Sequence, residues 1–264
     1  MKEKELRQAI VEQCRRLNPL GLNQGTAGNI SARIGDAMLI TPSAVPYDEM
    51  KPDMLALMPL NGEYGAWRGK MKPSSEWRFH LDIMRARADV GAIVHTHAMY
   101  ATILSILRKP IPAAHYMIAA FGGPLIRCTG YAPFGTKELS DLAVEGLAGM
   151  QGVLLGNHGM IACGTDLGQA MWRAVELETL AKMYYSALAV GKPTILPDDE
   201  ITRIAERFRG YGYRPRGAGA MIGQSATGPA GAAQAKAKTK TKAKAKSKSK
   251  PATKKSAAKK KASR

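Results

Sequence analysis

The sequence predicts an α/β or α+β sandwich followed by a disordered basic tail. Short apolar strands alternate along the chain with segments of helical periodicity, the first 206 residues are electrically neutral, and the composition changes abruptly near Gly217. A body of about 210 residues is long enough for one domain with a sizeable core. We therefore expect one domain over residues 1–216 and a separate tail over residues 217–264.

The predicted elements follow from hydrophobic spacing. Helices are predicted where apolar residues recur every three or four positions, and strands where short β-rich runs end at a turn signal. The predicted helices cover residues 1–17, 76–88 (with a serine at the N-cap), 98–107, 166–190 and 198–208. The predicted strands cover residues 29–33, 37–41, 90–97, 152–155 and 160–163, and residues 21–28 form a glycine-spaced loop. This alternation of strands and helices favours a layered sandwich.

The net charge of +18 belongs to the C-terminal end of the chain. Eighteen of the 39 basic residues follow Glu206, the last acidic residue, so residues 1–206 carry 21 charges of each sign. From Gly217 onward Gly, Ala, Lys, Ser, Thr and Pro dominate, and such a segment cannot offset its ordering entropy. We expect this tail to be disordered. It either contacts nucleic acid without sequence preference or is a dispensable solubilising extension.

Membrane and disulfide-rich classes are excluded. No apolar run approaches the roughly 18–20 residues that span a bilayer, and the charged N-terminal helix lacks the apolar region of a signal peptide. Cys14, Cys128 and Cys163 are odd in number and far apart, which argues against disulfides and against cysteine-ligated zinc. We expect buried apolar cysteines in a cytoplasmic protein without membrane contact.

Three histidines form a candidate metal site. His95 and His97 are one residue apart in a predicted strand, where alternation places both imidazoles on one face. Such a pair suits two ligands of a tetrahedral zinc, and His158, in a turn flanked by glycines, offers a third. Three imidazoles with an open position fit a catalytic site. The alternative, a chance pair on a half-buried strand, is about as frequent for a bare HxH motif.

Glu76 is a candidate metal ligand or proton carrier. It lies in the first turn of a predicted helix directly after Ser74 and Ser75, where free N–H groups and hydroxyls bind anions. A carboxylate there can ligate a metal or move a proton, although an ordinary capped helix is the alternative. We expect His80, one turn later, to be a packing or hydrogen-bonding residue, and His115 to be structural.

Two loops are candidate phosphate sites. Residues 25–31 either form an ordinary turn or present N–H groups and the side chains of Thr26 and Asn29 to a phosphate. Residues 41–43 offer a second pair of hydroxyls after a strand. Neither loop contains Lys or Arg, and no P-loop or GxGxxG motif indicates a nucleotide. A phosphate bound here is expected to be held by backbone dipoles and hydroxyls.

Seven blocks in this order resemble the class II aldolase/adducin family. They are GLNQGTAGNIS (21–31), LITPSAVPY (39–47), PSSEWRFH (73–80), VHTHA (94–98), IPAAHYMIAAFGG (111–123), FGTKELS (134–140) and NHGMIACG (157–164). The resemblance runs from about residue 1 to Tyr213, and a joint match of seven ordered blocks is specific where one alone is not. It implies a single-domain α-β-α sandwich around a mainly antiparallel central sheet. The tail has no counterpart in it.

The resemblance also implies an activity. It indicates an aldehyde-lyase with one Zn2+ per subunit that reversibly cleaves a ketose 1-phosphate into dihydroxyacetone phosphate and an aldehyde. The implied substrate is of the L-fuculose 1-phosphate type, with an aldehyde of the L-lactaldehyde type. The alternatives are 5-deoxyribulose 1-phosphate or 5-methylthioribulose 1-phosphate, from salvage of 5′-deoxynucleosides and methylthioadenosine. A non-catalytic scaffold of the adducin type is a further alternative, which the retained metal-site residues oppose.

Site roles carry over position by position from the same resemblance. The implied zinc ligands are His95, His97, His158 and Glu76, and Glu76 becomes the acid/base once substrate displaces it. The implied phosphate-binding residues are Thr26, Gly28, Asn29, Ser43, Ala44, Ser74 and Ser75. The implied assembly is a cyclic homotetramer with active sites between subunits, where Tyr116 of the partner subunit protonates the aldehyde oxygen. The implied lining of the aldehyde side is Phe134, Phe208 and Tyr211.

The sequence departs from the family pattern at three places. Ala44 stands where the family usually has glycine, and HTH at residues 95–97 replaces the HNH of similar proteins. Asn157 precedes His158 where those proteins carry a second histidine. Thr96 points away from the metal face if the strand prediction holds, so we expect little effect from it.

Overall fold

The structure, a computed structural model, describes residues 1–208. The predicted domain boundary after residue 216, the tail and Tyr211 lie outside the described residues. The predicted disorder of the tail therefore stays a prediction.

Helices and strands alternate through the described chain. The helices are α1 (Glu3–Leu17), α2 (Trp77–Ala86), α3 (Met99–Ile106), α4 (Lys137–Gly146), α5 (Leu167–Val190) and α6 (Asp198–Phe208), with short 3-10 helices at Pro52–Met54 and Tyr116–Phe121. The strands are β1 (Asn29–Ile34), β2 (Ala37–Ile40), β3 (Ala56–Pro59), β4 (Ala92–Thr96), β5 (Ile111–Pro112), β6 (Leu125–Cys128), β7 (Gly152–Leu155) and β8 (Gly159–Gly164).

All eight strands belong to one sheet with the order β3-β2-β1-β4-β8-β7-β6-β5. Of the seven neighbouring pairs only β6 and β7 run parallel, and the other six are antiparallel. The expected mainly antiparallel central sheet is thus confirmed. β4 and β8 lie in the middle of the sheet, where strands are covered on both faces.

Two apolar cores, one on each face of the sheet, make the architecture a three-layer sandwich. Along β4, Ala92 and Val94 enter one core while Ile93 enters the other, as alternation of side chains requires. Residues of α1, α3 and α5 fill the first core, and residues of α2 and α4 fill the second. The expected α-β-α sandwich is confirmed. Within residues 1–208, no helix is both long enough and apolar enough to cross a bilayer.

The cysteines behave as small apolar residues rather than as a reactive set. Cys14 and Cys163 are buried, Cys128 is half-buried, and all three thiols are free. Burial raises the pKa of the Cys163 thiol to about 12. These thiols are therefore uncharged at neutral pH, which suits packing and not nucleophilic chemistry.

The start of α2 differs from the prediction. The serines do not cap the helix, because Glu76 is its N-cap residue and no side chain caps it. Ser74 donates its backbone N–H to the Thr41 carbonyl at 2.8 Å, which ties the segment before the helix to the end of β2. The Ser74 hydroxyl instead accepts from the Glu76 N–H at 3.2 Å. Because this segment is hydrogen-bonded to Thr41, α2 begins only at Trp77, and Glu76 lies at its N-terminus.

Candidate active site

The centre of the sheet brings the histidines together. His95 lies near the C-terminal end of β4, and its register partner on β8 is Ile161, three residues after His158. His97 follows the last residue of β4, which ends at Thr96 and is shorter than predicted. His158 lies in the turn between β7 and β8. Antiparallel pairing therefore joins ligands that are about sixty residues apart in sequence.

The three imidazoles form a compact triangle. Ring centroids lie 5.1 Å apart for His95 and His97, 4.8 Å for His95 and His158, and 4.9 Å for His97 and His158. One nitrogen from each ring lies within 4.8 Å of the other two. Three nitrogens at such separations can all reach one ion at the roughly 2.0–2.1 Å of a zinc–nitrogen bond.

Unpaired nitrogens support metal binding at this triangle. Nδ1 of His95 donates to the Met160 carbonyl at 2.9 Å, so Nε2 of the neutral ring carries a lone pair. The buried Nε2 atoms of His95 and His97 have no hydrogen-bond partner among the described residues. Burying such nitrogens without a partner is costly unless a cation occupies the space between them. The donor set of imidazoles and a carboxylate suits Zn2+.

Glu76 closes the triangle on one side. Its Oε2 lies 3.2 Å from Nε2 of His95, its Oε1 lies 3.1 Å from Nε2 of His158, and the residue is 5% exposed. Burial by itself raises the pKa of the Glu76 carboxyl. When the rings of His95 and His158 are protonated, they attract this carboxylate and donate hydrogen bonds to it, which outweighs burial and holds its pKa well below the usual range. Glu76 is thus a carboxylate that can serve as a fourth ligand.

A chain of hydrogen bonds holds Glu76 from behind. Asn29 donates its side-chain amide to Oε2 of Glu76 at 2.9 Å, and His80 lies 2.5 Å from Oδ1 of the same asparagine. Burial, together with the charge of His95, lowers the pKa of His80 to about 3, so this imidazole is neutral. Because Asn29 Oδ1 only accepts, Nε2 of His80 carries the proton, and Nδ1 accepts from the Ser31 hydroxyl at 2.7 Å. His80 is the hydrogen-bonding residue that its position predicted.

A cavity of about 420 Å³ opens over this cluster. All seven predicted phosphate-binding residues line it, together with Glu76, His97, His158 and Phe134. The loops meet directly, since the Ser43 hydroxyl accepts from the Ser75 N–H at 2.8 Å. No Lys or Arg lines the cavity, so an anion here is held by hydroxyls and N–H groups.

Two backbone positions shape the wall of the cavity that the two predicted phosphate loops form. Gly28 packs against the backbone of β4, and a Cβ atom there would lie 2.8 Å from the His95 carbonyl oxygen. Ala44 has φ +58°, in the left-handed region that disfavours a side chain. That conformation favours glycine, the residue that the family resemblance leads us to expect at this position.

Some predicted residues lie elsewhere in the same chain. Neither Tyr116 nor Phe208 lines the cavity; their rings lie against each other with centroids 6.4 Å apart, and Tyr116 is 47% exposed. Phe134 stands at the cavity and is 71% exposed. The predicted aldehyde-side residues among residues 1–208 therefore divide into two groups, one at the cavity and one outside it.

Sequence reasoning gave no role to three further lining residues, Tyr131, Ala132 and Asn157. Asn157 has φ +54°, and its neighbour His158 is a candidate ligand. An Asn between Gly156 and a His-Gly pair is a signal for such a turn, since asparagine tolerates the left-handed region. Nothing local in the sequence identifies Tyr131 or Ala132.

Several known proteins resemble this chain in sequence and fold. Residues 8–185 match the family described as the Class II Aldolase and Adducin N-terminal domain. A 5-methylthioribulose-1-phosphate/5-deoxyribulose-1-phosphate aldolase from Rhodospirillum rubrum is 49% identical over 78% of this chain and 92% of its own length. An L-fuculose phosphate aldolase from Escherichia coli K12 is 45% identical over 81% of this chain and 99% of its own. A solved L-fuculose 1-phosphate aldolase, 39% identical, superposes with a TM-score of 0.74 and covers 78% of this chain and 96% of its own.

Proposed function

This chain belongs to the class II aldolase/adducin family, and from that membership we propose that it reversibly cleaves a ketose 1-phosphate into dihydroxyacetone phosphate and an aldehyde. It is an aldehyde-lyase of the same class as its relatives, which are named as aldolases of sugar phosphates. The observation that carries the proposal is the meeting of Glu76 with three imidazoles beside a cavity whose loops present hydroxyls and N–H groups and whose lining contains no Lys or Arg.

We propose Zn2+ as the resident cation, one per subunit, held by His95, His97, His158 and Glu76. A divalent cation held by these residues would supply electrophilic stabilisation of the negative charge that develops during cleavage. No lysine lines the cavity, so a Schiff-base route has no candidate nucleophile there.

The residues of the chain divide the remaining work. Ser43, Ser74 and Ser75 bind the phosphate and thereby place the C3–C4 bond of the ketose near the imidazoles. When that bond breaks, its electron pair stays on C3, and the C4 hydroxyl loses its proton as the aldehyde carbonyl forms. In cleavage, Glu76 acts in its protonated form once substrate has displaced it from the imidazoles; it delivers its proton to C3 to complete dihydroxyacetone phosphate and is left as a carboxylate. In the reverse reaction the carboxylate removes the same proton.

The neighbouring subunit completes the site in this proposal. Tyr116 is exposed and lies outside its own cavity, which suits a residue that serves the cavity of another subunit of a homotetramer. In cleavage, Tyr116 of the partner subunit accepts the C4 hydroxyl proton as a phenolate, and in the reverse reaction it returns that proton to the aldehyde oxygen as a phenol. Co-assembly of Glu76→Gln chains with Tyr116→Phe chains tests this arrangement. In a randomly mixed ring, roughly a quarter of the sites regain both residues, whereas self-contained sites regain none.

A comparison of kcat/KM for three candidate ketose 1-phosphates would identify the preferred substrate. We propose L-fuculose 1-phosphate, with 5-deoxyribulose 1-phosphate and 5-methylthioribulose 1-phosphate as the alternatives that the relatives' names suggest. The test measures kcat/KM for all three, with and without a chelator, and the zinc content of the purified protein. His97→Ala should lose zinc and activity, and His115→Ala, outside the cavity, should keep its zinc. Active wild-type protein without stoichiometric zinc would contradict the metal assignment. Inactive wild-type protein without zinc would indicate a non-catalytic scaffold.

The segregated charge of the chain supports a second, independent role. All 14 charged residues of the tail, residues 217–264, are basic. We propose that the tail tethers the enzyme to nucleic acid through phosphate contacts, which predicts binding that is independent of sequence and steeply salt-dependent. Deleting residues 217–264 should abolish retention on DNA at low salt and leave aldolase activity intact. Equal DNA binding by the truncated chain contradicts the tether and leaves the catalytic proposal untouched.

A further inference from the structure

Backbone strain gathers at the turn that carries His158. Among the described residues, only Ala44, Arg108 and Asn157 are non-glycine residues with positive φ. Two of them, Ala44 and Asn157, line the cavity, and Arg108 (φ +53°) contacts Asn157 (φ +54°). Left-handed conformations cost about 1–2 kcal/mol per residue and persist where the surrounding contacts enforce them. The turn is therefore held in one conformation by its neighbours.

The guanidinium of Arg108 restrains this turn through two hydrogen bonds. Its Nη1 donates to the Thr129 carbonyl at 2.9 Å, and its Nη2 donates to Oδ1 of Asn157 at 2.5 Å. The group lies flat against Gly156, where a Cβ atom would meet Nη1 at 1.7 Å, so glycine is required there. Arg108 thus joins the segment after α3, the segment after β6 and the turn before β8.

This restraint fixes the direction of the Asn157 amide. Arginine only donates, so the oxygen of Asn157 faces Arg108 and the NH2 group faces away from it. Within residues 1–208 that NH2 group has no hydrogen-bond partner, and Asn157 is an exposed lining residue of the cavity. The result is an oriented, unpaired donor next to His158.

The cavity has one place where such a donor is useful. The phosphate loops and the metal cluster account for most of its polar lining. Of the remaining lining residues (Ala27, Pro42, Tyr131, Ala132, Phe134 and Asn157), only Tyr131 and Asn157 have polar side chains. Tyr131 is 61% exposed, and its hydroxyl makes no hydrogen bond within residues 1–208 that would fix its orientation. Asn157 is therefore the one polar side chain with a fixed orientation on the part of the cavity wall that neither the phosphate loops nor the metal cluster occupies, and this part is available to the aldehyde.

We propose that Asn157 determines specificity for a 2-hydroxyaldehyde, by donating its side-chain N–H to the hydroxyl oxygen on the carbon next to the aldehyde carbonyl. This inference rests on the proposed function and refines it. L-fuculose 1-phosphate yields an aldehyde with that hydroxyl, whereas 5-deoxyribulose 1-phosphate yields one without it. A site built to bind a hydroxyl group discriminates against the analogue that lacks it, because its donor is then left unpaired. Arg108 is the positioning residue, since it touches Asn157 and not the cavity.

The test compares kcat/KM for L-fuculose 1-phosphate with kcat/KM for 5-deoxyribulose 1-phosphate, in wild type and in Asn157→Gly. Glycine accepts the same positive φ and removes only the amide. We expect the ratio of the two values to fall at least about 10-fold, with zinc content and melting temperature retained. Ala44→Gly is the matched control. It removes the other strained residue of the cavity, beside the phosphate that both substrates share, and should leave the ratio unchanged.

Two results overturn the proposal. An equal loss of kcat/KM for both substrates shows that Asn157 only shapes the metal turn, and an unchanged ratio shows that its amide does not contact the aldehyde. If Asn157→Gly loses zinc or fails to fold, Arg108→Gln keeps Asn157 but frees its amide. The ratio should then fall about 3-fold, and a constant ratio again overturns the proposal. A wild-type protein that cleaves neither of these substrates nor 5-methylthioribulose 1-phosphate instead refutes the proposed function itself.

Discussion

The side-chain amide of Asn29 donates a hydrogen bond to Oε2 of Glu76 at 2.9 Å. Asn29 also lines the cavity, so a residue expected to bind phosphate also holds the carboxylate expected to carry the proton. Its orientation depends on His80, which is fully buried and reaches Oδ1 of Asn29 at 2.5 Å. The position of Glu76 thus depends on His80 through Asn29, although His80 makes no hydrogen bond to Glu76 itself.

We predict that replacing His80 lowers turnover through Asn29. His80→Leu removes the donor to Oδ1, frees the amide of Asn29 and should reduce kcat about 10-fold, with a smaller change in KM. His80→Gln can still donate an N–H to Oδ1 and should recover much of the loss. Steady-state kinetics with zinc content and melting temperature as checks decide the matter. Equal damage by Leu and Gln would show a packing role only.

Glu76 carries the proton in the proposed reaction. Glu76→Gln keeps the size and hydrogen-bonding reach of the side chain but cannot exchange a proton. It should preserve much of the substrate binding and reduce kcat about 100-fold or more. Glu178→Gln is a matched control, because Glu178 is also partly buried but accepts from the Tyr100 and Ala101 N–H groups at the start of α3. Its variant should change stability and leave kcat near wild type, and wild-type turnover in Glu76→Gln would rule out the assignment.

Ala44 holds a left-handed conformation in the phosphate side of the cavity. Ala44→Gly should relieve that strain and, after the larger entropy of the unfolded glycine is subtracted, raise the free energy of unfolding by about 0.5–1 kcal/mol. Ala27→Gly supplies the contrast, because Ala27 lines the same cavity without a positive φ. It should lower the free energy of unfolding. Urea denaturation of the two variants distinguishes them, and destabilisation by both would refute the strain argument.

The metal-free protein should lose stability in mild acid. Burial lowers the pKa of His80 to about 3 and, with help from the charges of His95 and His158, that of His97 to about 4. Both stay neutral in the folded chain while the same groups bind protons in the unfolded chain below about pH 6.5. Stability is therefore full above pH 6.5 and falls as pH drops toward 4, with His80 contributing up to about 1.4 kcal/mol per pH unit.

Urea denaturation between pH 7 and pH 5 measures this slope before the carboxylates protonate. His80→Gln has no titrating ring and should show a shallower slope than wild type. A slope that is the same in both proteins would mean that His80 binds its proton as readily when folded. Bound zinc should steepen the slope instead, because the metal keeps its histidine ligands free of protons in the folded chain, whereas the same histidines bind protons in the unfolded chain.

Local sequence patterns predict those helices and strands whose hydrophobic spacing is clear within the element itself. The long helix α5 and the terminal helix α6 show clear helical spacing, and β7 is a short apolar run closed by a turn, so these boundaries were within a residue of the structure. The sequence indicated no element at β3, β5, β6 or α4. β5 has only two residues and β6 is half exposed, so pairing with neighbouring strands, and not their composition, makes them strands.

The candidate site shows the same division at the level of single residues. The spacing of His95 and His97 indicates a ligand pair, because alternation within one strand is a local property. Nothing local indicates that Asn29 turns its amide toward Glu76 or that Arg108 orients Asn157. Those contacts join residues 47 and 49 positions apart. They follow from strand register and loop docking, which depend on the whole sheet.

The sequence by itself determined the chemistry available to this protein: a neutral body, a basic tail, three imidazoles, one well-placed carboxylate and loops of hydroxyl and glycine residues. Composition and spacing are sufficient for that, because charge, metal affinity and turn propensity belong to individual residues. Only the tertiary structure decided which groups meet. Pairing of β4 with β8 brings His158 to His95, and the docking of Ser74 on Thr41 puts Glu76 beside them. Such long-range contacts arise from burial and hydrogen bonding across the fold, which no local pattern records.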